Sequence, residues 1–282
     1  MIYAGIDIGR RNVHIILIKA GNIIAKGEAP AGIQKAKTAE EVYDRVLKDT
    51  RLERKDVGNI ISTGSSGKIA GFAHGFIPQI ASAARGVIKL IPSARTVINV
   101  GAEETSIIKI NSEGRVFDFT GNDKCAAGTG TFIESMSRAL EVPIVELAEL
   151  SMQADKAINI NISAQCAVFG ESEVVSLIHK KVPKSSIARA VHNSIASRIG
   201  SLAKVLGLEK DIVLIGGVAN NAGLVDSLSS YIKMDVLVPQ DPEYVVAYGA
   251  ALAAEASILN EELKLEVLEK ENISNGISQL EG

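Results

Sequence analysis

The chain has 282 residues, 46% of them apolar, which is enough for one large domain or two moderate ones. Its formal net charge is −3, and its basic residues are scattered without aromatic platforms, which argues against a nucleic-acid-binding protein. No unbroken apolar run reaches membrane-spanning length, so we expect no membrane association. The first residues read as a strand and not as a signal peptide, so we expect a cytoplasmic protein.

The first hundred residues predict a three-stranded meander followed by helices. Residues 5–22 contain an apolar strand ending at Asp7, a turn that starts at Gly9, a second β-branched strand and a second turn. Helical spacing follows over 38–47 and 76–90, and a further strand is predicted over 57–61.

The same meander occurs again 92 residues later. Asn99 stands at the position of Asp7, and Gly101 stands at the position of Gly9. The repeat predicts an α/β protein of two similar lobes, with a ligand cleft between them. We assign 1–95 plus 249–282 to the first lobe and 96–248 to the second.

The rest of the chain alternates helices with short strands. Helices are predicted over 130–140, 185–206 and 245–259, and strands over 211–215 and 236–238. The tail beyond residue 260 is rich in Glu and Lys, and we expect it to be frayed or disordered.

The two glycine-started turns are candidates for phosphate binding. If they face each other across the cleft, their backbone N–H groups form concave anion sites. Asp7 is placed to hold magnesium through water. The small residues of the loop over 216–221, between a buried strand and a helix, allow a base or ribose to approach closely.

The two cysteines, Cys125 and Cys166, lie in separate motifs. Two thiolates do not fill a four-sulfur iron–sulfur site, but two copies of the chain do so across a twofold axis. Taken alone, the cysteines favour the ordinary alternative, a pair of buried or free thiols. Further context is needed to choose between them.

Six sequence motifs together resemble known families. Four of them are similar to the superfamily of actin, hexokinase and heat-shock-chaperone ATPases, and two are similar to a narrower family within it. That family comprises the activators of 2-hydroxyacyl-CoA dehydratases and the ATP-binding subunits of benzoyl-CoA reductase. The superfamily motifs are GIDIG (5–9), NVGAEET (99–105), IGGVANN (215–221) and AYGAALAA (247–254), and the cysteine motifs are DKCAAGTG (123–130) and SAQCAVFGESEVVSLI (163–178).

The resemblance implies an ATPase of two duplicated lobes with ATP or ADP and Mg²⁺ in the cleft. It also implies a 4Fe-4S cluster, one per dimer, held by Cys125 and Cys166 of each subunit. The second subunit is either another copy or a related chain. The implied activity is ATP-driven transfer of one electron, supplied by ferredoxin or flavodoxin, to a CoA-ester dehydratase or reductase.

The resemblance also implies roles for individual residues. Asp7, Glu103 and Glu104 are the expected catalytic residues. The expected nucleotide-binding residues are Gly9, Arg10, Arg11, Asn12, Asn99, Gly101, Ala102, Gly216, Gly217 and Asn220.

The chain departs from the family at both phosphate turns. Asn99 replaces an aspartate, which weakens magnesium binding, and Glu104 is a candidate to replace the lost charge. Arg10 and Arg11 either contact phosphates directly or are solvated turn residues. Three other functions stay open: a degenerate subunit of a benzoyl-CoA-reductase-like heterodimer, a small-molecule kinase without a cluster, and a nucleotide-binding regulatory or structural protein without a cluster. The four histidines are scattered and are expected to be satisfied structural residues.

Overall fold

The computed structural model describes residues 1–123, 129–155, 158, 160–162 and 166–258. Two five-stranded mixed sheets form the frame of the molecule, in the orders β3-β2-β1-β4-β5 and β10-β9-β6-β7-β8. The first sheet contains β1 (Ile2–Ile8), β2 (Asn12–Lys19), β3 (Asn22–Pro30), β4 (Val57–Thr63) and β5 (Gly75–Phe76). The second contains β6 (Thr96–Val100), β7 (Glu104–Ile110), β8 (Val116–Asp123), β9 (Ile212–Ile215) and β10 (Val236–Leu237).

The two sheets repeat the same topology and the same register. Each has three antiparallel strands followed by two strands parallel to the first strand of the meander. Ile6 pairs with Ile15 in the first sheet, and Ile98 pairs with Ile107 in the second. Both pairs fit the sequence offset of 92, so the structure confirms the predicted duplication.

Helices cover both faces of each sheet. They are α1 (Lys35–Asp49), α2 (Gln79–Leu90), α3 (Gly130–Leu140), α4 (Ile144–Met152), α5 (Ala167–His179), α6 (Lys184–Leu206), α7 (Ala222–Ile232) and α8 (245–258). Helix α1 packs Val42, Tyr43, Val46 and Leu47 on the first sheet. Gly27 of β3 permits that contact, because a Cβ there would lie 2.3 Å from a methyl carbon of Val46.

Helices α2 and α8 cross between the lobes at positions without bulky side chains. A Cβ on Gly249 would lie 1.8 Å from the carbonyl oxygen of Ser82, and a Cβ on Gly86 would lie 2.3 Å from that of Val245. Helix α2 packs its buried residues with the second sheet, whereas the buried residues of α8 beyond Val246 pack with the first. The crossing therefore joins the two cores, and the lobe boundary that we placed at residue 249 falls inside α8.

Among the described residues, no helix combines the length and the apolar character that crossing a membrane requires. The predicted frayed tail, beyond residue 260, lies outside the described residues.

Candidate functional site

Two equivalent turns face the cleft, one from each sheet. In the turn between β1 and β2, the N–H of Gly9 donates to the carbonyl of Asn12 over 2.9 Å. In the turn between β6 and β7, the N–H of Gly101 donates to the carbonyl of Glu104 over 2.8 Å. Lys35 supports the first turn because its ammonium donates to the carbonyl of Gly9 over 3.1 Å. The duplication therefore produces a matched pair of turns, as the repeat predicted.

A cleft of about 460 Å³ lies between these turns. It brings together every residue predicted to be catalytic or nucleotide-binding, although these residues come from three separate parts of the chain. The residues that line it from that set are Asp7, Gly9, Arg10, Arg11, Asn12, Asn99, Gly101, Ala102, Glu103, Glu104, Gly216, Gly217 and Asn220. Their location fits a common site, and the role of each stays a prediction.

Asp7 is the most strongly perturbed acid at the cleft. It lies at the end of β1, only 7% of its surface is exposed, and its Oδ1 atom has no hydrogen-bond partner in the part of the chain that the structure describes. Burial, together with the smaller effect of the negative charge of Glu104, raises the pKa of Asp7 to about 7. A buried, unpaired carboxylate oxygen facing a cleft is suited to meet a cation or an ordered water.

Asn99 occupies the equivalent position at the end of β6 and is also buried. Gly216 lies against it: a Cβ on Gly216 would be 2.3 Å from the carbonyl oxygen of Val100 and 3.2 Å from the side-chain oxygen of Asn99. Gly216 also has a φ of +92°, a backbone conformation that favours glycine. The loop after β9 thus requires glycine where it approaches β6, and this brings Gly217 and Asn220 to the cleft.

Ion pairs connect the first turn to the second half of the molecule. The Nε atom of Arg10 lies 3.6 Å from a carboxylate oxygen of Glu103 and 3.7 Å from one of Glu104. Arg11 pairs with Glu134 on α3. Both arginines therefore have carboxylate partners across the cleft, and neither is only a solvated turn residue.

Sequence reasoning missed one wall of the cleft. Ile133 and Glu134 of α3 line it together with Ile144, Val145 and Ala148 at the start of α4. An apolar wall beside a polar turn suits a flat base with an attached sugar. Helical spacing indicated α3, but no local pattern shows which of its residues face a cleft formed by distant segments.

His14 was also missed. It lies on β2 directly opposite Asp7 in the strand pairing and lines the cleft. Its Nε2 atom is 3.3 Å from a carboxylate oxygen of Glu28. Burial lowers the pKa of His14, and the charge of Glu28 acts in the opposite direction.

We expected the four histidines to be structural residues with hydrogen-bond partners, and this holds for only some of them. His74 fits it, because its Nδ1 atom lies 3.0 Å from the side-chain oxygen of Asn59. It is wrong for His192, which is fully buried on α6 and whose ring nitrogens have no hydrogen-bond partner among the described residues. Burial lowers the pKa of His192 to about 4, because an apolar site disfavours the charged ring.

The two cysteines differ in what can be said of them. Cys125 lies outside the described residues. Cys166 is an exposed free thiol at the N-cap of α5. Helix α5 packs against α3 close to its own N-terminal end, since a Cβ on Gly170 would lie 3.2 Å from Met136 and 3.3 Å from Phe132.

The second turn is bonded directly to the start of α3. The N–H of Gly130 donates to the carbonyl of Gly101 over 3.0 Å, and the N–H of Thr131 donates to that of Ala102 over 2.9 Å. The Thr131 hydroxyl adds a bond of 2.6 Å to the same Ala102 oxygen. Helix α3 is therefore bonded to the second turn, forms part of the cleft wall and packs against α5, which begins after Cys166.

A direct protein metal site is not visible in this part of the chain. Within the described ranges, no group of three or more His, Cys, Asp or Glu side chains is arranged to hold a metal ion. Asp7 and Glu104 are the residues that fit a hydrated magnesium ion best, because one has an unpaired oxygen and both face the cleft.

Comparisons with known proteins agree with this architecture. The chain is 38% identical over 250 residues to an activator of lactoyl-CoA dehydratase from Anaerotignum propionicum, in a match that covers 89% of this chain and 96% of that protein. It is 32% identical over 262 residues to one subunit of benzoyl-CoA reductase from Thauera aromatica, covering 89% and 92% respectively.

A solved structure extends the likeness to the fold. The activator of the 2-hydroxyisocaproyl-CoA dehydratase from Clostridium difficile with bound ADPNP matches with a TM-score of 0.87 at 34% identity. The match covers 93% of this chain and 98% of that one. The predicted fold class, two duplicated lobes of the actin, hexokinase and heat-shock-chaperone type, is confirmed. A family model matches residues 4–254, and the chain belongs to the BadF/BadG/BcrA/BcrD ATPase family.

Proposed function

We propose that this chain is an ATPase that delivers single electrons at low potential to a CoA-ester dehydratase or reductase. Membership of an ATPase family and likeness to dehydratase activators over about nine-tenths of the chain support the proposal. The electron carrier is a 4Fe-4S cluster shared between two subunits, with ferredoxin or flavodoxin as its electron source. The observation that carries the proposal is the continuous contact from the cleft turn through α3 to the start of α5.

The nucleotide lies in the cleft with its phosphates between the two turns. Backbone N–H groups near Gly9 and Gly101 bind the phosphate oxygens. The base and ribose lie against the apolar wall of α3 and α4 and against Gly216 and Gly217. Asp7 and Glu104 would hold magnesium through water, while Glu103 orients the water that attacks the terminal phosphorus. The P–O bond to the leaving ADP then breaks, and inorganic phosphate forms.

The N-terminal ends of α3 and α5, each of which follows a cysteine in the sequence, are suited to stabilise anionic sulfur. A helix N-terminus carries roughly half a positive charge, which stabilises thiolates close to it. Cys166 is at such an end, and α3 begins five residues after Cys125. The cluster supplies one-electron redox chemistry when bound, and its four cysteine ligands require two subunits.

An exposed apolar surface beside Cys166 supports the second subunit. Val168 is 66% exposed and Phe169 is 69% exposed, on the first turn of α5. Large apolar side chains of this kind are commonly covered in an assembly. We assign this surface to the subunit interface, with a second copy or a related chain as the partner.

Anaerobic purification tests the cluster directly. We expect a brown protein with about two irons per chain, which is one 4Fe-4S cluster per dimer. Cys125→Ala and Cys166→Ala should each remove the iron and the visible absorption band while the far-UV circular dichroism spectrum stays unchanged. Full iron content in either variant contradicts the proposed ligands.

The departure at Asn99 favours one specific alternative. A chain with a weaker magnesium site is suited to be the less active subunit of a benzoyl-CoA-reductase-like pair, and one relative is a subunit of that enzyme. Hydrolysis by the purified chain alone separates the two cases. A chain that binds ATP and holds iron but does not hydrolyse ATP without a second subunit is the degenerate partner. A small-molecule kinase is indicated instead if the chain binds no iron and transfers phosphate to a sugar or small acid.

A further inference from the structure

Arg10 stands between the two turns where a nucleotide would place its phosphates. Its Nε atom lies within 4 Å of carboxylate oxygens on both Glu103 and Glu104, which belong to the opposite turn. Both distances exceed those of a good charge-assisted hydrogen bond. The guanidinium therefore contacts both carboxylates but makes a well-formed hydrogen bond to neither.

Several acids line the cleft close to Arg10. Asp7, Glu103 and Glu104 all line it, and an oxygen of Asp7 is buried without a hydrogen-bond partner among the described residues. Like charges at short range repel one another strongly where water is partly excluded. Arg10 supplies positive charge beside two of these three acids.

We propose that Arg10 is an exchangeable cation of the cleft, which leaves Glu103 and Glu104 when a nucleotide enters and binds the phosphates instead. The inference rests on the proposed nucleotide site, and it specifies how Arg10, one of the predicted nucleotide-binding residues, comes to bind there. A phosphate chain offers a guanidinium two parallel hydrogen bonds, a geometry that the two carboxylates do not offer here. The exchange leaves both glutamates free to face the magnesium and the attacking water.

Arg11 does not share this role. Its partner Glu134 belongs to α3 and not to the second turn. Arg11 therefore ties the first turn to α3 independently of Glu103 and Glu104. The exchange should therefore be detectable as an effect of Arg10 that Arg11 does not share.

The signature is a coupling between Arg10 and the two glutamates in the binding of metal-free ATP. Isothermal titration calorimetry in EDTA would measure the ATP affinity of four proteins. They are the wild type, Arg10→Gln, the double variant that carries both Glu103→Gln and Glu104→Gln, and the triple variant that carries all three changes. Arg10→Gln should weaken binding about 10-fold, because a phosphate contact is lost. The double glutamate variant should bind ATP about 5-fold more tightly, because Arg10 then has no ion pairs with Glu103 and Glu104 to break.

The triple variant decides the matter. If the glutamates compete for Arg10, their removal should strengthen binding less in the Arg10→Gln background than in the wild type, where the competition adds to the repulsion between carboxylates and phosphates. A 5-fold gain in both backgrounds would overturn the exchange, since it would reflect only the removal of negative charge. Arg115→Gln, on an exposed turn of the second meander, is the control for the loss of a positive charge.

The same titrations separate this inference from the proposed function. If the wild type binds no ATP even with magnesium, the nucleotide site itself is wrong, and the exchange is wrong with it. If the wild type binds ATP but the four affinities are additive, the site stands and only the exchange is overturned. Thermal unfolding of each variant shows whether a loss of binding comes from a loss of folding.

Discussion

At the residue scale, the cleft contains one acid, Asp7, at a position where an ionised group is costly. Asp7 is buried at a strand end, with an oxygen unpaired among the described residues and with Glu104 nearby. Such a carboxylate destabilises the empty protein at neutral pH, and a site of this kind is expected where a ligand later compensates the charge. Asn99, at the equivalent position, carries no charge and has no such cost. The duplicated turns are therefore alike in geometry and unlike in electrostatics.

The pKa of Asp7 predicts an unusual pH dependence of stability. Its pKa is about 7 in the folded chain against an ordinary value of 3.8, so the folded state holds a proton that the unfolded state releases between these values. Stability from this group is therefore complete below about pH 4 and is lost as pH rises towards 7. The loss is at most about 4 kcal/mol, from 1.36 kcal/mol for each pKa unit.

Asp7→Asn tests this sign, because asparagine has the same shape and does not ionise. We expect the variant to unfold at a higher temperature than the wild type at pH 8 in EDTA and at a similar temperature at pH 4. Exposed Asp235, changed to Asn, is the matched control. A gain for Asp7→Asn that is equal at both pH values would show that burial of the charge is not its cause.

A loss of function should accompany that gain in stability. Asp7→Asn removes the carboxylate that we assign to magnesium, so ATP hydrolysis should fall by about 10²-fold or more, in line with the loss of a group that stabilises transition-state charge. Binding of metal-free ATP should not weaken, because the carboxylate repels phosphates. Unchanged magnesium-dependent hydrolysis in the variant would place the metal elsewhere.

At the element scale, the sequence predicted the strands and turns better than the site walls. The meanders were predictable because the alternation of apolar residues and the turn residues are local signals, and their repetition at a fixed offset is a second, independent signal. Glu134, Ile144 and Val145 were not predictable as cleft residues. They lie on helices whose orientation is set by packing against α5, α6 and α7, which no local pattern records.

The crossing of α2 and α8 gives a prediction about helix packing. Gly249→Ala should destabilise the chain by about 1–3 kcal/mol, because the added Cβ meets a backbone carbonyl of α2, which does not move aside easily. Gly71→Ala is the matched control, since nothing lies within 4 Å of the Cβ it would add. Chemical denaturation of both variants measures the difference. Equal stabilities would mean that the two helices separate at little cost.

At the scale of the whole molecule, α3 joins the two activities that we propose. It begins at the second turn, lines the cleft and packs against α5. A nucleotide shifts the conformation of the protein only by as much as it prefers one state over the other. We propose that in this chain that preference reaches the start of α5 through the bonds between α3 and the second turn, and through the packing between α3 and α5.

Thr131 is the point at which that connection can be weakened without touching nucleotide or cluster. Its hydroxyl donates to the carbonyl of Ala102, and Thr131→Val removes this bond while keeping the shape of the side chain. In the wild type, ATP should change the rate at which an iron chelator bleaches the cluster, relative to ADP. In the variant that ATP effect should shrink at least about 3-fold, although ATP affinity and iron content stay near wild type, since a lost hydrogen bond is worth about 1 kcal/mol.

Thr120→Val, on edge strand β8, controls for the loss of a hydroxyl. Bleaching that responds to ATP equally in the wild type and in Thr131→Val would show that α3 does not transmit the signal. Bleaching that ignores nucleotide in the wild type would instead indicate a passive cluster carrier, as expected of the degenerate subunit.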